Sequence, residues 1–331
     1  MRRALALAER GWGQTAPNPM VGAVVVRDGE IVGEGAHLRY GEAHAEVHAL
    51  REAGERARGA TVYVTLEPCN HTGKTPPCTE ALLAAGVLRV VFATSDPTPV
   101  AGGGARRLRD AGIVVESGVC EQEARELNAP FFFATHADRP WVTLKLAMSL
   151  DGALTDAHRA SGFLTGASAR AEVQRLRANH DAIAVGVGTA LIDRPKLTAR
   201  TTPPPRIPPR RIIFDRSRRW SEEGTTVPES DVPPFTVVTE PDLFMALRQL
   251  RADGVHSLLV EGGAGIAAAL FNADLVDRLV IFQAPIVLGH GALAAFGDVR
   301  AVSLAEARRF PVVRRAEYDD DLMTVYALHA V

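Results

Sequence analysis

Short apolar runs rich in β-branched residues alternate along this chain with amphipathic stretches, and turn residues separate them. That alternation predicts an α/β architecture in two blocks. In the first block an amphipathic helix over Met1 to Arg10 precedes a hairpin, Val21 to Arg27 and Glu30 to Gly35, with Asp28-Gly29 as its tight turn. A helix over Ala43 to Ala57 follows, then strands near 61–66 and 88–93, helices near 78–85 and 103–111, a strand at Ile113 to Val115 and a helix from about 121 that ends near Phe131 to Phe133. Thr135 to Pro140 reads as the linker, so the blocks are expected at 1–137 and 141–331.

The second block offers strands at Trp141 to Leu146, Asp181 to Val185, Arg211 to Phe214, Thr236 to Thr239, Ser257 to Val260 and Leu279 to Gln283, with a closing hairpin around Asp319-Asp320. Helices near 167–179, 242–252 and 264–271 lie between them. Thr201 to Pro209 and Pro228 to Pro234 are expected as loops, because proline lacks the donor that ladders and helices need. No internal repeat is visible.

Composition narrows the class of protein without naming one. With 331 residues, 47% hydrophobic and 23% charged, the chain is long enough for two cores of ordinary globular make-up. A formal net charge of −2 gives no global field to attract nucleic acid, and no apolar run reaches membrane-spanning length. The three cysteines, together with a charged rather than apolar beginning, lead us to expect a cytoplasmic enzyme in a reducing compartment.

His44-Ala45-Glu46, then Pro68-Cys69, then Pro77-Cys78 carry the most specific chemistry. One histidine and two cysteines can hold Zn²⁺ while a fourth position stays open for a water whose pKa the metal lowers toward neutrality. Glu46, two residues from the histidine, is then free for acid/base work, the combination used to remove an amino group from a nucleobase-like ring. A His-x-Glu alone is most often structural, and His48 sits one turn from His44 as an equal ornament of a helix. Its pairing with a Pro-Cys just past the strand Thr61 to Leu66 favours the metal. Eight residues separate Cys69 from Cys78 where two are common, and this polar insert, with His71, Gly73 and Lys74, suits an anionic substrate.

In the second block, Gly186, Gly188 and Thr189, and again Glu261, Gly262, Gly263 and Gly265, sit where strands give way to turns and helices. Backbone amides at such places can cradle phosphate, although close helix packing accounts for similar glycines about as well. The spacing Gly263, Gly265, Ala268 fits the dinucleotide fingerprint, but the next strand ends at Phe282-Gln283 with no acidic residue for a ribose, which argues against a Rossmann domain.

Taken in order, Pro17 to Gly22, His44 to Glu46, Glu67 to Cys78, Lys145 to Gly152 and Val260 to Gly263 resemble the bifunctional riboflavin-biosynthesis deaminase/reductases over nearly the whole chain. The resemblance implies a cytidine-deaminase-like α/β/α domain followed by a dihydrofolate-reductase-like α/β domain. It implies one Zn²⁺ on His44, Cys69 and Cys78, with Glu46 catalytic, and a pyrimidinone carrying a ribosylamino 5'-phosphate as the substrate to be deaminated. It places Asn18, His37, His71, Lys74 and Asp96 around that substrate. NADPH-dependent reduction of the ribosyl group would follow, with Ala147, Phe163, Thr189, Asp193 and Gly263, Ala264, Gly265, Ile266, Ala267, Ala268 and Ala269 at coenzyme positions. Lys145, Ser161, Arg177, Leu197, Arg200 and Glu261 would fall at substrate positions.

The family likeness also implies a homo-oligomer, dimer or tetramer, acting on small molecules without nucleic acid or membrane. Two residues depart from its pattern: Phe163 where tryptophan is frequent, and Arg216 where a small hydroxyl residue is frequent. Arg216, with Arg218 and Arg219, is a candidate for the 2'-phosphate of NADPH. A base deaminase acting on nucleic acid would call for a basic face, and a deaminase whose second half merely senses a nucleotide stays open on sequence alone.

Overall fold

The computed structural model describes residues 1–98, 102–159, 161–221 and 233–329, and the chain divides into two compact units, Met1–His136 and Ala137–Ala330. In the first unit α1 (Arg2–Ala8) leads to β1 (Gly22–Arg27) and β2 (Glu30–Ala36), the hairpin expected from Asp28-Gly29, both of which adopt positive φ. Next come α2 (Ala45–Ala53), β3 (Thr61–Leu66), α3 (Cys78–Ala85), β4 (Arg89–Thr94), α4 (Gly104–Asp110), β5 (Val114–Ser117), α5 (Glu121–Leu127) and α6 (Ala129–Ala134).

These strands form a five-stranded sheet in the order β2-β1-β3-β4-β5. The first two pairings, β1 with β2 and β1 with β3, are antiparallel, and β3, β4 and β5 run parallel. The inner residues Val25, Val62, Val64, Val90 and Phe92 pack with Ala49, Ala53, Leu82 and Leu108 of the covering helices. The helices lie flush because glycines face them: a Cβ on Gly22 would fall on the backbone of Ala4 and Ala8, and one on Gly33 or Gly35 on the backbone of α2.

The single helix expected from about 121 is instead two. Asn128 breaks it at φ −115° and ψ 28°, two residues before Pro130, and its buried amide both donates to Met20 O and accepts from Met20 N at 2.8 Å.

The second unit begins with β6 (Trp141–Met148) and β7 (Ala153–Thr155), then α7 (Ala167–Ala178), β8 (Ala182–Gly186), α8 (Val187–Asp193), β9 (Arg210–Phe214), β10 (Phe235–Val238), α9 (Leu243–Ala252), β11 (Ser257–Glu261), α10 (Ala264–Asn272), β12 (Arg278–Gln283), β13 (Leu293–Ala294), β14 (Val312–Tyr318) and β15 (Asp321–Ala327). An eight-stranded sheet runs β10-β9-β8-β11-β6-β12-β15-β14, with β7 and β13 pairing separately. It is parallel from β10 to β12 and antiparallel beyond. This mixed order, with β6 inside the sheet, is not a Rossmann domain. The sequence reading missed β7 and β13, which are short, and α8, which follows Gly186 as its N-cap. Thr201 to Pro209 carries neither helix nor strand, while Pro228 lies outside the described residues.

Where the chain enters this unit, Arg139 makes two bonds to the fully buried Asp277, at 2.6 and 2.8 Å. The same carboxylate accepts from Val142 N at 2.8 Å, so the start of β6 is anchored. Parallel strands put functional side chains at one sheet end, and β6 and β11 place Lys145 directly beside Glu261.

Candidate active sites

His44 caps the start of α2, with φ −75° and ψ 165°, while Cys69 follows β3 and Cys78 opens α3. These elements bring the three side chains together. His44 Nδ1 is 3.2 Å from Cys78 Sγ and 3.5 Å from Cys69 Sγ, and the three candidate donor atoms lie within 4.8 Å of one another. The Cys78 amide donates to Cys69 Sγ at 3.4 Å. A hydrogen bond from Cys78, joined by His44, lowers the Cys69 thiol to about 4 against its burial, whereas Cys78 is pushed up by that same hydrogen bond and by its own burial. A divalent cation bound between the two sulfurs would displace the proton they share. A soft imidazole and thiolate set of this kind fits zinc.

Glu46, in the first turn of α2, is buried beside these donors. Burial, then the negative charge of Cys69, raises its carboxyl above the ordinary range, against the opposing charge of His44. The arrangement can hold a metal on one side and move a proton on the other.

A cavity of about 520 Å³ opens onto this cluster. Its lining includes Asn18, His37, His71, Lys74 and Asp96, the five residues that the resemblance places around the substrate to be deaminated, together with His44, Glu46 and Cys69. His37 Nδ1 donates to Ala43 O at 3.3 Å and its Nε2 accepts from Asn18 Nδ2 at 3.4 Å, and burial lowers its pKa. Lys74 Nζ lies 4.4 Å from the Tyr40 ring centroid, and Asp96 accepts from Thr98 N at 2.8 Å. Asn128 was missed because it acts indirectly: its paired bonds to Met20 hold the segment that carries Asn18. The nearest sequence signal was Pro130.

The second unit gathers its polar residues less completely. Arg177 meets Glu261 in a forked pair, Nε to Oε1 at 2.5 Å and Nη2 to Oε2 at 2.6 Å, and Nη1 donates to Thr198 O at 3.0 Å. The pair is largely buried, so Arg177 is no free helix charge. Burial raises the Glu261 carboxyl, but Arg177 and then Lys145 outweigh it and hold it below the usual range. Burial lowers Lys145, against the attraction of Glu261.

A separate cavity of about 530 Å³ lies at the ends of β8, β9, β10 and β11. Of the residues placed at coenzyme positions, Thr189, Gly263, Gly265, Ile266 and Ala269 line it. Ala264, Ala267 and Ala268 are buried on the inner side of α10, Ala147 packs with Phe282 and Val280, and Asp193 is exposed at the end of α8. Phe163 is 81% exposed under the Arg170 guanidinium at 4.9 Å. Of the substrate positions in this unit, Ser161 and Arg200 are exposed, the Arg200 amide donating to Gln174 at 2.9 Å. Leu197, with φ +49°, is 1% exposed in a core cluster with Ile183 and Ile213, so only its backbone can face a ligand.

Residues 1–94 match the model of the cytidine and deoxycytidylate deaminase zinc-binding region, and residues 140–315 match that of the RibD C-terminal domain. The riboflavin biosynthesis protein RibD of Escherichia coli (strain K12) is 43% identical, covering 94% of this chain and 93% of that protein. This chain belongs to the RibD family. The RibD of Aquifex aeolicus (strain VF5) is 39% identical over 98% of this chain and 97% of its own. Among solved structures, Acinetobacter baumannii RibD has a TM-score of 0.83 at 37% identity, covering 98% of this chain and 97% of that one. The Thermotoga maritima structure described as a diaminohydroxyphosphoribosylaminopyrimidine deaminase/5-amino-6-(5-phosphoribosylamino)uracil reductase has a TM-score of 0.85 at 35% identity, covering 99% and 97%. Like other RibD proteins, this chain is a bifunctional enzyme of riboflavin biosynthesis, a zinc-binding deaminase joined to an NADPH-using reductase.

Proposed function

We propose that residues 1–137 hydrolytically deaminate 2,5-diamino-6-(5-phosphoribosylamino)pyrimidin-4(3H)-one. Residues 141–331 then reduce its ribosyl group with NADPH, giving 5-amino-6-(5-phosphoribitylamino)uracil. The observation that carries the reading is the convergence of His44, Cys69, Cys78 and buried Glu46 on a cavity lined by Asn18, His37, His71, Lys74 and Asp96.

His44, Cys69 and Cys78 would hold the zinc, which when bound supplies an acidified water. Glu46 carries a proton from the attacking water to the ring nitrogen and afterwards to the departing ammonia, a role suited by a carboxyl that burial raises above the ordinary range. His37 and Asn18 present hydrogen-bonding edges to the pyrimidine, and Lys74 offers its ammonium to the 5'-phosphate.

In the reductase unit NADPH, when bound, would supply the hydride for the anomeric carbon of the opened sugar. Lys145 and Glu261, adjacent on β6 and β11, are suited to hold the sugar hydroxyls, and Arg177 fixes the Glu261 carboxylate while keeping one donor on Thr198 O. The glycine-lined cavity is suited to the coenzyme, with Gly263 and Gly265 at the start of α10 facing its phosphates.

No helix among the described residues is long and apolar enough to cross a membrane. We place the enzyme in the cytoplasm, a reading supported by three free cysteines, and read it as a homo-oligomer on the family resemblance. Product mass after incubating zinc-loaded protein with the diaminopyrimidine ribosyl phosphate tests the function. Deamination without NADPH, followed by a ribityl product once NADPH is added, is expected. Deamination unchanged by NADPH would reduce the second unit to a nucleotide sensor.

A further inference from the structure

The eight residues between Cys69 and Cys78 form a fastened loop. At its base Thr79, fully buried, donates from Oγ1 to Asn70 Oδ1 at 3.0 Å and from its amide to Cys69 O at 3.3 Å. At its tip Gly73 N donates to Thr75 O at 3.2 Å, and Lys74 is laid over the Tyr40 ring. These contacts fix the place of Thr75, which stands half-buried in the wall of the deaminase cavity.

From there Thr75 reaches back to the metal site. Its Oγ1 lies 3.4 Å from His44 Nε2, while His44 Nδ1 faces Cys78 Sγ at 3.2 Å and Cys69 Sγ at 3.5 Å. An imidazole that gives its Nδ1 lone pair to a cation carries its proton on Nε2, so the ring donates and the hydroxyl accepts. A partner on that second nitrogen selects the tautomer and stops the ring from turning its ligand nitrogen away. The neighbouring ring cannot do this: His37 meets His44 edge to face at 5.3 Å, and its two nitrogens are engaged with Ala43 O and Asn18 Nδ2. His37 therefore confines His44 by shape, and Thr75 holds it by a directed bond.

We propose that Thr75 is a positioning residue of the zinc site, its hydroxyl accepting the Nε2 proton of His44 and holding the ring so that Nδ1 meets Cys69 and Cys78. The inserted loop then serves the histidine ligand as well as the substrate. This rests on the reading of His44, Cys69 and Cys78 as the ligands of the metal.

Competition for Zn²⁺ between the whole chain and a chromophoric chelator tests it without reference to turnover. Thr75→Val keeps the shape and removes the acceptor; zinc affinity is expected to fall about tenfold, the lower end for a lost outer partner because a bond of 3.4 Å is long. Thr75→Ser returns the hydroxyl without the methyl group, and its zinc affinity should lie within about twofold of the parent. Parent affinity in Thr75→Val would overturn the proposal. A Thr75→Ser protein as weak as Thr75→Val would also overturn it, by making the methyl group the cause. His44→Ala separates the two levels, since it should lose far more affinity than Thr75→Val. Zinc held as tightly by His44→Ala as by the parent would remove the ligand reading itself, whereas zinc lost in His44→Ala but kept in Thr75→Val would remove only the role of Thr75.

Discussion

Glu46 concentrates the deaminase chemistry in one carboxyl group whose pKa is raised by burial and by Cys69. Replacing it with glutamine keeps the shape and removes the proton carrier, so deamination should fall by roughly 10²- to 10⁴-fold. Zinc content, read by metal analysis, and reductase turnover should stay intact; loss of zinc as well would mean that Glu46 holds the site together. Asn128 tests the support behind the same cavity. Asn128→Ala removes two buried bonds to Met20, expected to cost about 2 kcal/mol in denaturant unfolding and to raise KM for the pyrimidine more than it lowers kcat. Glu46 was legible in the sequence because chemistry demands its residue type at a set distance from His44. Asn128 was not, because an amide that braces a backbone 108 positions away leaves no local pattern.

At the level of elements, Asp151 ties the turn after β6 to a distant loop by accepting from Leu288 N at 3.1 Å, Gly289 N at 2.7 Å and Ser149 Oγ at 2.6 Å. The Ser149 bond first, then the two amides, hold its carboxyl down to about 2 from an ordinary 3.8. A depressed carboxylate stabilises the fold above its ordinary pKa and loses that contribution as pH falls through its folded value. Asp151→Asn should therefore lower the melting temperature at pH 6, and the gap from the parent should close between about pH 4 and pH 2. A gap that persists unchanged through that window would show that shape, not charge, makes the tie. The hairpin of β1 and β2 and the long helices could be read from turn residues and periodicity. α8 could not, since Gly186 and Gly188 announce a turn and only the tertiary position of β8 makes it a helix.

For the whole chain, the separation of zinc chemistry from hydride chemistry into Met1–His136 and Ala137–Ala330 has a thermodynamic counterpart. Stripping zinc with a chelator should abolish deamination and lower one calorimetric transition, while reduction of the deaminated intermediate continues. Saturating NADPH, at a hundred times its Kd, should stabilise the other unit by about 2.7 kcal/mol. A single transition moved by both ligands would mean that the units unfold together. The α/β class, both activities and the closing hairpin at Asp319-Asp320 were visible from motif order and turn residues, whereas the place of that hairpin beside β12 was not, because strand order is decided by pairings that no local pattern records. The glycines beneath α1 and α2 extend this to heredity. Gly22, Gly33 and Gly35 have no room for a single carbon, while Gly29, Gly59 and Gly118 open onto empty space, though at positive φ. In a library of random substitutions the first three should reject even alanine, and the others should accept asparagine, which tolerates positive φ, at modest cost. The pattern of permitted alleles would then trace which strand residues a helix covers, so that growth counts alone could draw the inner face of the sheet.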